Sequence, residues 1–217
     1  MIRRWGGLAV LGAAFTLGAC ASDQVATTSR PGGELAGVLC PPAGTVVTRD
    51  NGSRLRYGGS DPSDPATCLI GTPAGNTVKA LGGLIVVHPV NATQRRQALA
   101  SLFPLAPGRS SYTRYNLVNS LSPMANQNPF EESFRVVGET PVQLATETRQ
   151  AWIVEGRLNS SMDANIRFVS NYHIDKQTGA VLAFTNRSAT MGNVGTASLP
   201  YRVLDISVPG QQVASAP

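Results

Sequence analysis

Two alternating stretches in the second half of the chain constrain its fold more than any other feature. Trp152, Val154, Gly156 and Leu158 alternate with Ile153, Glu155 and Arg157. Ile166, Phe168, Ser170, Tyr172 and Ile174 alternate with Arg167, Val169, Asn171, His173 and Asp175. A period of two sends successive side chains to opposite faces of an extended strand, so each stretch predicts a strand with one buried and one wetter face. Asp175-Lys176-Gln177-Thr178-Gly179 reads as a turn into a strand at Val181 to Thr185, and Tyr201 to Val208 supplies a last strand. Tyr112 to Val118, Phe134 to Val137 and Val142 to Leu144 are further candidates, the last two lying either side of Gly138. Asn119 to Pro129 reads as a polar loop.

The first half adds a hairpin, an apolar run and a helix. Thr45 to Arg49 and Arg54 to Tyr57 flank Asp50-Asn51-Gly52-Ser53. A two-residue loop would set Arg49 opposite Arg54, an unfavourable pairing of like charges. A three-residue loop with Gly52 in the left-handed conformation pairs Val47 with Leu55 and Thr45 with Tyr57, and is preferred. Asp61-Pro62-Ser63-Asp64-Pro65 reads as an exposed turn. Gly82-Gly83 suits a bend or close packing, and the run Leu84 to Val87 suits a strand buried on both faces. Asn91 and Gln94 form a capping-box-like pair before a short helix. Leu99, Leu102 and Phe103 share one face of it, and Pro104 stops it. The expected fold class is mainly β (α+β): an antiparallel, strongly twisted sheet, as a half-barrel or sandwich, with one short helix.

The N-terminus gives an address. Arg3 and Arg4 precede an apolar stretch, Leu8 to Leu17, that is too short for a stable span of about 20 residues. It reads as a signal peptide. Leu17-Gly18-Ala19-Cys20 resembles the lipobox of bacterial lipoproteins, which implies cleavage before Cys20 and diacylglycerol on its thiol. Palmitate-bearing, three-chain anchors of this type hold firmly, whereas one acyl chain binds reversibly. Ala21 and Ser22 stand where proteins retained at the inner membrane often carry Asp, which favours the outer membrane, facing the periplasm. The expected organisation is a signal peptide at 1–19, a Ser/Thr/Gly-rich lipidated tether at 20–34, one β-rich domain at 35–207 and a flexible tail at 208–217. As a random coil the tether reaches on the order of 20 Å.

With Cys20 lipidated, Cys40 and Cys68 remain as a pair in an oxidising compartment, and a disulfide is expected. The formal charge of +5 falls to +3 when Arg3 and Arg4 leave with the signal. Sixteen of the 18 basic residues are Arg, scattered without a run. The compartment excludes a nucleic-acid partner, while a weak attraction to anionic lipid or cell-wall polymer remains.

Enzymatic signatures are missing: the sequence holds no Gly-x-Ser-x-Gly elbow, His-Glu-x-x-His, phosphate-binding Gly loop or Cys-x-x-Cys. His88 and His173 each have Ser and Asp residues within reach of the sequence, but no triad pattern. Glu131 and Glu132, adjacent on a strand, point to opposite faces and do not converge as an acid/base pair. Trp152, Phe168 and Tyr172 are candidates to line an apolar ligand cavity, although aromatics at alternate strand positions more often form ordinary core. The segment Tyr172 to Val181 resembles the strand-turn-strand of periplasmic half-barrel proteins, including lipoprotein carriers and outer-membrane receptors. That resemblance implies a curled sheet holding acyl chains. No metal or cofactor is implied. The expected role is a non-enzymatic, membrane-anchored module for an envelope protein or cell-wall polymer. The alternatives are a carrier or sensor of an apolar ligand and a hydrolase with an unrecognised triad.

Overall fold

Local turn chemistry sets the first register. The computed structural model describes residues 37, 38, 40–86, 92–116, 129–160, 167–188 and 200–210. The lipobox and tether, Val87, His88, Asn91, Leu117 to Asn128 and Ile166 lie outside them. Strands β1 (Val46–Arg49) and β2 (Arg54–Asp61) pair with Val47 opposite Leu55. The Tyr57 N–H donates to the Thr45 carbonyl at 2.8 Å, and the Gly52 N–H donates to the Arg49 carbonyl at 2.9 Å. Gly52 sits at φ +78°, the left-handed conformation that closes a three-residue loop at little cost only for glycine. The expected register holds, and Arg49 is kept from facing Arg54.

The chain continues through β3 (Asp64–Gly71), β4 (Thr77–Leu81), β5 (Ile85–Val86), α1 (Ala92–Leu99), β6 (Ser110–Asn116) and β7 (Pro129–Gln143). It ends in β8 (Thr148–Ser160), β9 (Arg167–Asp175), β10 (Val181–Ser188) and β11 (Tyr201–Ser207). All strand pairs are antiparallel. The sheet order is β5-β4-β3-β2-β1-β11-β10-β9-β8-β7-β6. Two meanders therefore join where the last strand enters beside the first. The chain passes from one sheet edge to the other through α1.

That topology forces the sheet to curl. Arg96 of α1 pairs with Asp64 of β3, while the neighbouring Arg95 pairs with Glu132 of β7 at 2.7 and 2.8 Å. Along the sheet, β3 and β7 lie seven strand spacings apart, about 34 Å. An eight-residue helix is only about 12 Å long. Both strands reach one short helix only if the sheet bends around it. The expected mainly-β fold, antiparallel and strongly twisted with one helix, is observed.

The helix carries less of the core than expected, and the turn after it carries more. Leu99 ends α1, while Leu102 and Phe103 lie beyond it, yet all three are buried. They pack with Ala66, Leu81 and Leu84 from one half of the sheet and Phe134, Val136, Val154 and Ile174 from the other. Each large side chain buried there contributes roughly 1.5–3 kcal/mol. The Gln94 side-chain amide donates to the Arg114 carbonyl at 2.8 Å, while Asn91, the other half of the expected capping pair, lies outside the described residues.

Several strand limits differ from the expectation. The segments around Gly138 form one 15-residue strand, β7, because a bulge between Val136 and Gly138 absorbs the extra residue without breaking the ladder. Of the run Leu84 to Val87, Leu84 closes the turn that Gly82 and Gly83 make at φ +57° and +70°, Ile85 and Val86 form β5 at the sheet edge, and Val87 lies outside the described residues. Asp61 to Pro65 is tighter than expected. Asp61 pairs with Asp64 across Pro62-Ser63, and Asp61 is buried against Lys79. Strand β8 does not have one dry face: Ala151 and Val154, both 0% exposed and three residues apart, belong to different clusters. Val208, assigned from the sequence to the tail, is buried with Val203 and Ile206 in the second cluster.

Candidate functional site

Cys40 and Cys68 are disulfide-bonded, with Cα atoms 5.3 Å apart, tying the segment before β1 to β3. Trp152, Phe168 and Tyr172 share one face of the sheet, since the register sets Trp152 opposite Ile174, Val154 opposite Tyr172 and Leu158 opposite Phe168. They do not converge on one cavity. Tyr172 lies between the rings of Phe134 and Phe184, at 6.4 and 5.1 Å, and this burial pushes its phenol pKa up to about 12. Phe168 is six residues from Ile174, about 20 Å along β9 from the level of Trp152.

Trp152 borders a pocket of about 170 Å³ with Phe103, Leu105, Ile174 and Lys176. The Lys176 ammonium lies 4.0 Å from the Trp152 ring centroid and 2.8 Å from Glu139. Ligand pockets for molecules of ordinary size occupy about 300–1,000 Å³. This pocket is short of that range.

Among the described residues, which leave out His88, the catalytic candidates do not assemble. Burial lowers the pKa of half-buried His173. Asp175, two residues further along β9, spends its carboxylate on Arg149 and on the hydroxyl and N–H of Thr178. Glu131 and Glu132 point to opposite faces, and Glu132 is buried against Arg95. Among the described residues no three His, Cys, Asp or Glu side chains gather as metal ligands.

What the register does assemble lies on the outer face of β6 to β10. Across these strands the pairings place three rows side by side. The first is Arg114, Glu131, Asn159 and Arg167. The second is Tyr112, Ser133, Arg157, Val169 and Arg187. The third is Ser110, Arg135, Glu155, Asn171 and Thr185. No bulge interrupts the ladders over this stretch, so directly opposed residues point the same way. The grid covers roughly 20 by 14 Å at ordinary strand and residue spacings.

Five arginines stand on it, all exposed. Arg157 and Arg187 flank half-buried Val169 from the adjoining strands, about 10 Å apart, and Arg167 lies on the same side two residues away. Arg157 donates to Glu155 at 2.8 Å. Arg114, Arg135, Arg167 and Arg187 make no ion pair among the described residues. Arg202, in the next row toward β11, turns its guanidinium to the Gln143 carbonyl at 2.8 Å. Guanidinium forks of this kind offer paired donors to carboxylates and phosphates.

No family model matches the sequence, and no curated protein matches it. Among solved structures, the chain is similar to the hypothetical lipoprotein YmcC from Escherichia coli K12. The TM-score is 0.45 and the identity 11%, over 79% of this chain and 89% of that one.

Sequence reasoning missed the arginine face because the five residues are spread from position 114 to 187 without a run. A signal was present: Arg157 and Arg167 sit out of phase with the apolar positions Leu158 and Phe168 of their own strands. Strand registers were needed to bring them together.

Proposed function

We propose that this chain is a bacterial envelope lipoprotein, anchored through Cys20 and presenting a non-enzymatic binding module to a partner in the periplasm, from the outer membrane. The single observation that carries the binding role is the exposed arginine grid on the outer face of β6 to β10. The lipobox Leu17 to Cys20 supports the anchor, and the Cys40–Cys68 disulfide fits an oxidising compartment. The core beneath the sheet is built by side chains from both halves and from the α1 segment, and its hollow beside Trp152 is small, about 170 Å³, which supports binding on the outer surface.

The test is site-specific photo-crosslinking of the full chain in its host. A photoreactive residue in place of Tyr112 or Thr185, both on the face, should give a discrete adduct. One in place of exposed Arg54 on β2 should not. Equal labelling at all three positions would refute a specific face. Recovery of about one lipid per protein by organic extraction would instead establish the carrier reading.

A further inference from the structure

We propose that the face bearing Arg114, Arg135, Arg157, Arg167 and Arg187 is a docking surface for an acidic polysaccharide of the cell envelope, an inference that rests on the anchored-module reading above. Charge distribution is the first argument. Five arginines against Glu131 and Glu155 leave +3 on the three rows. The whole chain carries +5, or +3 once Arg3 and Arg4 of the signal segment are set aside. The rest of the chain is thus neutral, and its entire surplus charge lies on one sheet face.

The second argument is that the cations of this face stand together without carboxylates. Elsewhere Lys79, Arg95, Arg96, Arg149 and Lys176 pair with carboxylates, Arg49 stacks on the Tyr201 ring, and Arg109 and Arg202 donate to carbonyls, while exposed Arg54 and Arg56 on β2 make no ion pair among the described residues. On the grid, four of the five arginines have none, and Arg157, Arg167 and Arg187 crowd around Val169. Like charges brought close on one sheet face are destabilising, so folding alone gives no reason to place them there. An anionic partner does.

The chemistry between the arginines selects the class of anion. Ser133, Asn159, Asn171 and Thr185 interleave with them as short hydrogen-bonding groups, which suit a hydroxyl-rich chain. Tyr112, 60% exposed, is the large exposed apolar side chain within the rows. A protein hot spot is built from clustered aromatic anchors in desolvated pockets, and a membrane-binding face from several inserted apolar side chains. The grid has neither. It is broad and polar, with an open hollow of about 510 Å³ at its Arg114 margin, which fits a polymer that lies across strands and repeats its carboxylates. Each exposed contact is weak, and several along one chain add through effective concentration.

The test uses the mature, lipidated chain in nonionic detergent, retained on immobilised polygalacturonate, with dextran as the neutral control. Retention should fall as salt is raised from about 0.05 to 0.5 M, because exposed charges are screened. The double variant Arg157→Ser/Arg187→Ser should bind about tenfold more weakly. The charge-matched Arg54→Ser/Arg56→Ser variant should bind like the parent. Both should melt no lower than the parent, since these side chains are exposed.

Equal losses in the two variants would mean bulk charge rather than this face, and would overturn the proposal. So would binding to phosphatidylglycerol-doped micelles without retention on the polymer, which would assign the face to lipid. Failure on polygalacturonate with a discrete protein adduct at Tyr112 or Thr185 in cells would sink the polysaccharide but leave the binding module standing. Failure of both would remove both readings.

Discussion

The buried group at the β9–β10 turn allows a quantitative test of what holds the sheet in shape. Asp175 is 1% exposed and accepts from the Thr178 hydroxyl at 2.6 Å, the Thr178 N–H at 3.2 Å and Arg149 at 3.3 Å. Arg149, itself 5% exposed, also donates to Glu147 at 2.7 Å and Gln177 at 3.0 Å. Removing one partner of a buried pair strands the other charge and costs about 3–5 kcal/mol. Arg149→Met should lie near the low end, about 3 kcal/mol, because Thr178 still serves the carboxylate. Asp175→Asn should cost about 2 kcal/mol, since Asn still accepts from Thr178 and Arg149 keeps Glu147 and Gln177. The double variant leaves no stranded charge. It should cost about 3 kcal/mol rather than the additive 5, a coupling of about 2 kcal/mol. Urea unfolding with the disulfide intact measures all four proteins, reading stability from the midpoint at constant slope. Additivity within about 0.5 kcal/mol would refute the pairing and leave Thr178 as the sole partner that matters.

Four further outcomes are expected. Cys20→Ala should abolish acylation and release the chain from the membrane fraction, while intact mass of the parent should show the acylated cysteine; an unmodified mature Cys20 would contradict the anchor. Breaking the Cys40–Cys68 bond, which closes a loop with a sequence separation of 28, should cost about 3–4 kcal/mol by the chain-entropy estimate, seen as a lower melting temperature on reduction. Gly82→Ala puts a Cβ 2.6 Å from the Phe103 ring at φ +57°, so strain and overpacking together should cost about 2–4 kcal/mol in the same urea assay. Hydrogen bonds from Lys79 and Ser63 hold the Asp61 carboxyl at about 2, so the stability it contributes is full above the ordinary carboxylate value and is lost as pH falls through about 2; Asp61→Asn should flatten that acid limb of the melting profile.

Part of this fold is legible in the sequence. Turn chemistry alone fixed the Val47–Leu55 register, because the Arg49–Arg54 clash and the left-handed Gly52 both act within a few residues. The alternation through Trp152 to Leu158 and Phe168 to Ile174 determined strands β8 and β9 and their inner residues, since strand period is a local property. The Cys40–Cys68 bond followed from an oxidising address and the two cysteines left over. Tertiary structure decided the rest. That β11 inserts between β1 and β10 depends on contacts between chain ends, which local pattern does not encode. The bulge that joins the segments either side of Gly138 into β7, and the burial of β8 on both faces, with Ala151 in one cluster and Val154 in the other, depend on partners distant in the chain. The arginine face belongs to this second class. Each arginine is an ordinary exposed strand residue in its own segment, and only the combined register of five strands concentrates the surplus charge of the chain on one side.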